Sequence, residues 1–374
     1  MTHDRGTAPA PTHSQSQVYT WEPSNAAIAA RYGLRPEEIL RFDTNTSPRP
    51  PPWLPEALLG PFEPTLNEYP DSSYAELTAA AAAYTGVETA QVVVGAGADE
   101  ILDLVAKAFL SPTGSAIVPI PTYPMYGVLT TQRGARIVPV PRRGADESYR
   151  LNVDAVCTRL SDVEVVWLCS PNNPTGRLET GEDLQAVVTA AESQESPPLV
   201  VIDEAYFEFG GASAAPSIHE HSNLLVVRTV SKAFALAGLR VGWAVGSRSV
   251  IERLERVRPP GSISTASATL AARALREPAY ATRNAGLLSR ERDWLVDRLA
   301  ALGYACQPSV CNFVLVGFSD HAAAETAAET LLRAGIVPRT FGPANPLRGH
   351  LRLTVRTREE NKQLLAALQA MPTL

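Results

Sequence analysis

The sequence is poor in cysteine and has no long apolar run, and each absence excludes a class of protein. No Cys-x-x-Cys pair occurs, and no histidine or second cysteine pair stands nearby to complete a zinc site. We therefore predict no metal centre and interpret the thiols as buried or incidental groups in a reducing compartment. No apolar segment approaches the roughly 18–20 residues that span a bilayer. The four cysteines are Cys157, Cys169, Cys306 and Cys311.

The chain also has no excess of positive charge. Its 374 residues include 33 Lys and Arg against 39 Asp and Glu, a net charge of −6, which argues against a nucleic-acid surface. The polar N-terminus lacks the apolar core of a secretory signal. Too little apolar surface is present there to offset the cost of ordering, so we predict a disordered tail at 1–17. By default, we expect a cytoplasmic location.

Short apolar runs alternate with helical stretches from about residue 73 to 270. Ser73 and Glu76 form a capping-box pattern before an alanine-rich helix. Such β-rich runs separated by helices indicate an α/β fold with a largely parallel sheet covered on both faces. The predicted strands lie at 92–94, 116–120, 135–140, 163–170, 197–206 and 223–230.

The last hundred residues have a different pattern, which predicts a smaller α+β domain at 276–374. We expect the N-terminal segment 18–50 to join this domain, while 51–275 forms the large domain. The proline-rich run at 48–55 marks the crossing between the two. The predicted elements of the small domain are a helix near 282–302, a strand at 312–318, a helix at 320–334, a strand at 351–355 and a final helix.

Lys232 lies in the segment TVSKAFALAGLR, residues 229–240. A lysine amine has a pKa of about 10.4 and is a poor nucleophile unless neighbouring cations or desolvation lower that pKa. Thr229, Ser231 and Arg240 are the groups that gather around a phosphate. A Schiff-base lysine beside a phosphate site indicates pyridoxal 5′-phosphate (PLP). The alternative is a solvated surface lysine.

Three further segments place chemically useful groups just after predicted strands. Gly95 and Gly97 stand between a strand and a helix, whose first backbone amides can hold a phosphate. Tyr123, in PTYPMY, can lie flat on a planar ring. Asn173, in SPNNPTG, can donate to a phenolic oxygen. Taken singly, these also fit a tight turn, a buried aromatic residue and an ordinary loop.

Charged and phenolic side chains complete the pattern. Asp203 ends a strongly apolar strand, where a carboxylate is costly unless it is paired, and a protonated pyridine nitrogen is a suitable partner. Tyr206, three residues on, can reach the phenolic oxygen of the same ring. Arg352, on a late strand, and Arg339 can bind a substrate anion. A helix cap, an ion pair or surface arginines are the simpler alternatives.

Together these motifs resemble the fold-type I PLP-dependent aminotransferases, and among them most closely the histidinol-phosphate aminotransferases. The resemblance runs from about residue 19 to the C-terminus. It implies an α/β large domain with a mainly parallel sheet, a smaller α+β domain built from both chain ends, and transamination with PLP. The motifs are YPDSSYAEL, VVVGAGADEILDL, PTYPMY, CSPNNPTG, DEAYFEF, SKAFALAGLR and LRLTVRTREEN.

The resemblance also implies roles for individual residues. Lys232 is the catalytic lysine that holds the cofactor and moves the proton. Arg352, Arg339 and Asn173 bind the substrate, and Tyr69 reaches the cofactor phosphate of a neighbouring subunit, which implies a homodimer. The remaining cofactor contacts are Ala98 and Asp99, mainly through their backbone, with Tyr123, Asn173, Asp203, Tyr206, Ser231 and Arg240.

Three positions depart from the family pattern. Thr46 stands where glutamate is common, Trp21 replaces a tyrosine that contacts the substrate phosphate, with Tyr19 nearby, and Arg356 stands where a small residue is usual. The first two leave open an aromatic amino acid aminotransferase, and a decarboxylase of the threonine-phosphate type shares the fold and similar motifs. A PLP-fold regulator would carry a DNA-binding module, which the tail is too short to form.

Overall fold

The computed structural model describes residues 23–371. The predicted tail at 1–17, Tyr19 and Trp21 lie outside these residues. Within the described range, no helix combines the length and the apolarity that crossing a membrane requires.

The α-helices are α1 Asn25–Tyr32, α2 Leu54–Ala57, α3 Ala75–Thr85, α4 Ala98–Phe109, α5 Met125–Gln132, α6 Val153–Cys157, α7 Gly181–Glu192, α8 Arg248–Glu255, α9 Thr265–Arg276, α10 Ala279–Ala301, α11 His321–Arg333 and α12 Arg358–Gln369. The strands are β1 Leu40–Arg41, β2 Val92–Gly95, β3 Ser115–Ile120, β4 Arg136–Pro141, β5 Val165–Cys169, β6 Leu199–Asp203, β7 Leu224–Thr229, β8 Gly242–Gly246, β9 Ala305–Gln307, β10 Phe313–Gly317, β11 Ile336–Val337 and β12 His350–Thr354.

A seven-stranded sheet in the order β2-β8-β7-β6-β5-β3-β4 forms the centre of the molecule. The pairs among β3 to β7 are parallel, and only β8 runs against its neighbours β2 and β7. The sequence patterns did not predict β8, because a five-residue run with glycine at both ends also reads as a turn. The remaining six strands confirm the predicted largely parallel sheet.

Apolar clusters cover both faces of this sheet, as the uniformly apolar strands require. One cluster packs α3, α7 and α9 against the sheet, and it includes the fully buried Val166 and Ile202. The other packs α4, α5 and α8 against the opposite face, around Trp167 and Val201. The chain is therefore an α/β protein with a sheet covered on both sides, as predicted.

A second, antiparallel sheet lies towards the C-terminus, in the order β12-β10-β9. Residues of α10, α11 and α12 pack on it around Phe42, which is fully buried. The N-terminal segment joins this region through β1, which pairs in parallel with β11. The backbone of Phe42 also contacts β12, since its carbonyl accepts a hydrogen bond from the Thr354 amide at 2.7 Å.

The predicted capping box at Ser73 and Glu76 is wrong. Helix α3 begins at Ala75, and the hydroxyl and amide of Ser73 both donate to Asp71, at 2.6 and 2.9 Å. Tyr74 takes a left-handed backbone with φ of 47°. Its phenol accepts from the amide of Ile263 at 2.9 Å and lies 3.0 Å from the carbonyl of that residue. A buried tertiary contact therefore sets this helix start and overrides the local signal.

Candidate active site

The strands of the central sheet deliver the predicted residues to one edge. Parallel strands end on the same side, and the reversed β8 begins there, so Arg240 just before β8 reaches the same place as residues after β2, β3, β5, β6 and β7. The pocket at this edge is lined by Ala98, Asp99, Tyr123, Cys169, Asn173, Asp203, Ala205, Tyr206, Thr229, Ser231, Lys232 and Arg240. A larger groove beside the proline run at 48–52 contains none of these residues.

One end of the pocket is the start of α4. The helix begins at Ala98 with Gly97 as its N-cap, and no side chain caps it, so the first amides face the pocket edge. Gly97 has φ of 86°, and a Cβ there would lie 2.7 Å from Nη2 of Arg240. A Cβ on Gly242 would lie 2.5 Å from the Ala98 amide nitrogen. Both glycines are therefore needed for β8 and Arg240 to approach this helix start.

Asp99 organises the same end through its side chain, beyond the backbone role expected for it. Its Oδ2 lies 3.0 Å from Nη2 of Arg240, and its Oδ1 accepts from the Tyr123 hydroxyl at 2.9 Å. The carboxylate therefore fixes the ring of Tyr123 and the guanidinium of Arg240 relative to the helix start.

Two hydroxyl groups lie close by, at the end of β7. The Ser231 amide donates to Oγ1 of Thr229 at 3.1 Å, and the two side-chain oxygens are 2.8 Å apart. Both residues are buried. The Thr229 hydroxyl donates to the Val241 carbonyl at 2.9 Å, so the Ser231 hydroxyl, the α4 amides and Arg240 form the cluster of donors suited to a phosphate.

Asp203 also lines the pocket and is buried. Its Oδ1 accepts from the Ala205 amide at 3.0 Å, and its Oδ2 accepts from the Tyr126 hydroxyl at 2.8 Å. Burial raises the pKa of this carboxyl to about 6 even though both hydrogen bonds oppose the shift. A cationic partner would favour the ionised form. Sequence reasoning missed Tyr126, although it stands three residues after Tyr123 in the same motif.

Lys232 lines the same pocket. Its Nζ is 3.5 Å from the carbonyl oxygen of Thr44 and 5.4 Å from the centre of the Tyr206 ring. Desolvation lowers the pKa of the amine to about 8, and the positive charges of Arg352 and Arg240 act in the same direction. The amine is therefore far easier to deprotonate than an ordinary lysine, as condensation with an aldehyde requires.

Asn173 and Arg352 meet beside the lysine. Nη1 of Arg352 donates to Oδ1 of Asn173 at 2.6 Å, and its Nη2 donates to the carbonyl of Asp43. The amide oxygen of Asn173 is therefore occupied, and its Nδ2 has no partner within residues 23–371. Arg339 forms a backbone bridge with Arg352, with both N–H···O distances 3.0 Å, which brings two arginines side by side.

The Tyr206 phenol is buried, which raises its pKa well above the usual value. It accepts a hydrogen bond from Nδ2 of Asn45 at 2.9 Å, and its ring packs edge-on against Phe313 at 5.3 Å. Asn45 is a site neighbour that sequence reasoning missed. It stands directly before Thr46 in TNTSP, the segment that departs from the family pattern.

The structure does not bring Tyr69 into the pocket of its own chain. Its side chain is 92% exposed, and exposed leucines lie in the same segment.

Arg356 neither faces solvent freely nor stands ready for an anion, because its guanidinium binds Glu360 at 2.8 and 3.0 Å. The hydroxyl of Thr46 lies 2.9 Å from that of Thr44.

These groups fit PLP. The donor cluster at the α4 start suits the phosphate, and the buried Asp203 suits a protonated pyridine nitrogen. Asn173 Nδ2 and the Tyr206 hydroxyl can serve a phenolic oxygen, while Lys232 stands where an aldehyde would meet it. The raised pKa of Asp203 is an independent sign of fit, because a cation beside it would remove an existing energetic cost.

Comparison with known proteins agrees with this geometry. Residues 40–368 match the model of the family "Aminotransferase class I and II". A curated histidinol-phosphate aminotransferase of Thermoanaerobacter pseudethanolicus is 37% identical over 309 residues, covering 82% of this chain and 85% of the relative. The enzyme of that name from Methanothermobacter thermautotrophicus is 34% identical over 348 residues, or 91% of each chain.

A solved structure adds the cofactor. The histidinol-phosphate aminotransferase of Sinorhizobium meliloti, crystallised with pyridoxal-5′-phosphate, is 25% identical to this chain and superposes with a TM-score of 0.83 over 97% of both chains. Family model, relatives and structure agree with one another and with the pocket. The chain therefore belongs to the class I and II aminotransferases, which are PLP-dependent enzymes, and within them to the histidinol-phosphate aminotransferase family.

Proposed function

We propose that this enzyme transfers the amino group of histidinol phosphate to 2-oxoglutarate, giving imidazole-acetol phosphate and glutamate, as a step of histidine biosynthesis. The observation that carries the proposal is the pair of bridged arginines, Arg339 and Arg352, beside Lys232 and Asn173. The names of the relatives support the same substrate.

The bound PLP ring supplies an electron sink for the bond that is broken at the amine-bearing carbon. Asp203 keeps the pyridine nitrogen protonated, because a buried carboxylate favours a neighbouring cation. Lys232 would hold the cofactor through its Nζ, and the same amine, when free, would move the proton as a general acid and base. Desolvation lowers the pKa of this amine to about 8, nearer to neutral pH, where a general acid and base is most effective.

The two arginines would allow one pocket to accept two chemically different amino donors. A guanidinium group binds a carboxylate or a phosphate through two parallel hydrogen bonds, so either arginine suits an anionic group of the substrate. Histidinol phosphate offers a phosphate, and glutamate offers carboxylates. Arg352, buried and held by Asn173, is suited to the group nearest the reacting carbon, while Arg339, half-buried, is suited to the distal phosphate.

The test is the steady-state kcat/KM for a panel of amines with 2-oxoglutarate. We expect histidinol phosphate to be the best substrate and to release no carbon dioxide. A far higher kcat/KM for phenylalanine or tyrosine would replace the proposal with an aromatic aminotransferase. Carbon dioxide release without a keto acid would indicate a decarboxylase of the threonine-phosphate type.

The same panel separates the role of Arg339. We expect Arg339→Ala to lower kcat/KM for histidinol phosphate by about 10- to 100-fold, the value of a hydrogen bond to a charged group, with a smaller effect on glutamate. Arg356→Ala is the matched control, because its guanidinium is already bound to Glu360. An equal loss in both variants would remove Arg339 from substrate recognition.

We also propose a homodimer in which Tyr69 completes the pocket of the partner. An exposed apolar stretch supports this, since Leu58, Leu59 and Leu66 are 52%, 86% and 63% exposed and Tyr69 is 92% exposed. Large apolar side chains exposed together mark a surface that another protein covers. A second copy is the occupant that the position of Tyr69, away from its own pocket, favours.

Mixing two impaired variants tests this arrangement. Tyr69→Ala and Lys232→Ala subunits, exchanged at equal concentration, should recover about a quarter of wild-type activity, because half the dimers are mixed and each has one intact site. Co-purification of two differently tagged wild-type subunits after mixing is the control for subunit exchange. If Tyr69 served its own chain, the mixture of the two variants would recover nothing.

Strand pairing between distant segments supports a division of the chain into two domains. We propose that 18–50 and 276–374 form the small domain and 51–275 the large domain, since β1 pairs with β11 and the seven-stranded sheet lies within 92–246.

We also propose a cytoplasmic location. All four cysteines are free, as in a reducing compartment.

A further inference from the structure

The segment Asp43–Ser47 contacts two of the proposed site residues directly, and Asn45 within it contacts a third. The carbonyl of Asp43 accepts from Arg352, and that of Thr44 lies 3.5 Å from Nζ of Lys232. The Ser47 hydroxyl donates to the Lys232 carbonyl at 2.9 Å. This short segment, which carries none of the assigned catalytic groups, therefore borders the pocket along its length.

Asn45, at the centre of the segment, is held firmly by its backbone. Its amide donates to the Thr354 hydroxyl at 2.9 Å, and its carbonyl accepts from Nδ2 of Asn312 at 3.0 Å. The residue is 1% exposed and has φ of 53°, a conformation that asparagine tolerates better than most residues. These backbone hydrogen bonds fix the direction of its side chain.

The side chain of Asn45 points to Tyr206. Nδ2 of Asn45 donates to the phenol oxygen at 2.9 Å, while Oδ1 lies 3.2 Å from the Thr354 hydroxyl. A phenol has a single proton. Because the oxygen of Tyr206 receives a hydrogen bond from the amide, its own proton remains available for a second acceptor in the pocket.

We propose that Asn45 is a positioning residue that commits the proton of Tyr206 to the phenolic oxygen of the cofactor. The inference rests on the contact between Tyr206 and PLP proposed above and adds a residue that acts through it. Asn45 touches neither cofactor nor substrate in this scheme. Its contribution is the orientation of the phenol.

The consequence is electrostatic. A hydrogen bond from Tyr206 to the phenolic oxygen is stronger when the Lys232 nitrogen bound to the cofactor has no proton, because the oxygen then carries its charge alone. Losing that bond should therefore raise the pH at which this nitrogen loses its proton. The other charged and titratable groups that face Tyr206 are Arg352, Lys232, Cys169 and Cys311, and every variant below retains them.

The measurement is the pH midpoint of the visible absorbance of the PLP-loaded protein. We expect Asn45→Ala to raise the midpoint by about 0.5–1 pH unit, the equivalent of one ordinary hydrogen bond. Asn45→Asp, which has the same shape, should raise it further, since a carboxylate would accept the phenol proton. Tyr206→Phe should also raise it, and adding Asn45→Ala to Tyr206→Phe should change nothing more.

Asn25→Ala is the matched control, because this half-buried asparagine of the same N-terminal segment bonds Arg41 instead. If Tyr206→Phe shifts the midpoint while both Asn45 variants match wild type, Asn45 does not position the phenol and the proposed Tyr206 contact survives. If Tyr206→Phe also matches wild type, the Tyr206 contact itself is wrong. Additive shifts in the double variant would show that Asn45 acts without Tyr206, which also overturns the inference. Urea unfolding of each apoprotein identifies a folding defect, and Asn45→Asp remains informative if Asn45→Ala does not fold.

Discussion

Replacing Lys232 with alanine should abolish transamination, with kcat lowered by at least about 10⁴-fold. The variant loses both the amine that holds the cofactor and the group that moves the proton. The phosphate cluster, Asp203 and Asn173 remain, so PLP should still bind non-covalently, but the absorbance of a lysine-bound cofactor should be absent. Absorbance spectra and steady-state assays of the loaded variant measure both effects.

Lys107→Ala is the control for this experiment. Lys107 lies on α4 and pairs with Asp103 at 2.6 Å, away from the pocket. It should keep wild-type activity and spectrum. A Lys232→Ala protein that retained transamination and the wild-type absorbance would exclude Lys232 as the cofactor lysine.

Asp203→Asn should lower kcat/KM by roughly 10²- to 10³-fold, because it removes one partner of a buried ion pair with the ring nitrogen. The same change should stabilise the apoprotein. Without a cationic partner, the buried carboxylate has a pKa of about 6. Against about 3.9 in the unfolded chain, its ionisation costs the apoprotein about 2–3 kcal/mol at pH 7.

The sign of this effect gives a pH dependence. A carboxyl group with a raised pKa stabilises the fold fully below about pH 3.9, and that contribution is lost as the pH rises through about 6. The stability advantage of apo Asp203→Asn should therefore grow from pH 5 to pH 7 and then level off. Urea unfolding at several pH values measures it.

Glu208→Gln provides a matched control for Asp203. Burial also raises the pKa of Glu208, to about 7, and Tyr84 donates to it at 3.1 Å, but it does not line the pocket. It should change apoprotein stability and leave PLP affinity unaltered. If Asp203→Asn were less stable than wild type at pH 7 and kept full activity, the ring-nitrogen role would be wrong.

The order of the site residues could be predicted from the sequence because each follows an apolar strand of a parallel sheet. Asp203 ends β6 and Lys232 follows β7. Recognising each strand was therefore enough to predict that its residue lies at the shared edge of the sheet. Arg240 came from a motif alone, since the reversed strand β8 that brings it to this edge was not recognised. Helix bounds were also close, with α10 at Ala279–Ala301 against a prediction of 282–302.

The contacts that join distant segments could not be predicted. Asn45 meets Tyr206 across 161 positions, and Tyr126 meets Asp203 across 77. No local pattern encodes such pairs, because they depend on how whole elements pack. The predicted start of α3 was wrong for the same reason, since a hydrogen bond between Tyr74 and the distant Ile263 sets it.

The most direct test of the site is to locate the cofactor on the wild-type chain. The sequence has three lysines, Lys107, Lys232 and Lys362, so borohydride reduction of the PLP-loaded protein followed by peptide mass spectrometry gives an unambiguous position. We predict a phosphopyridoxyl group on the peptide that contains Lys232 and on no other. A stoichiometric label on Lys107 or Lys362, or none at all, would contradict the assignment of this pocket as the active site.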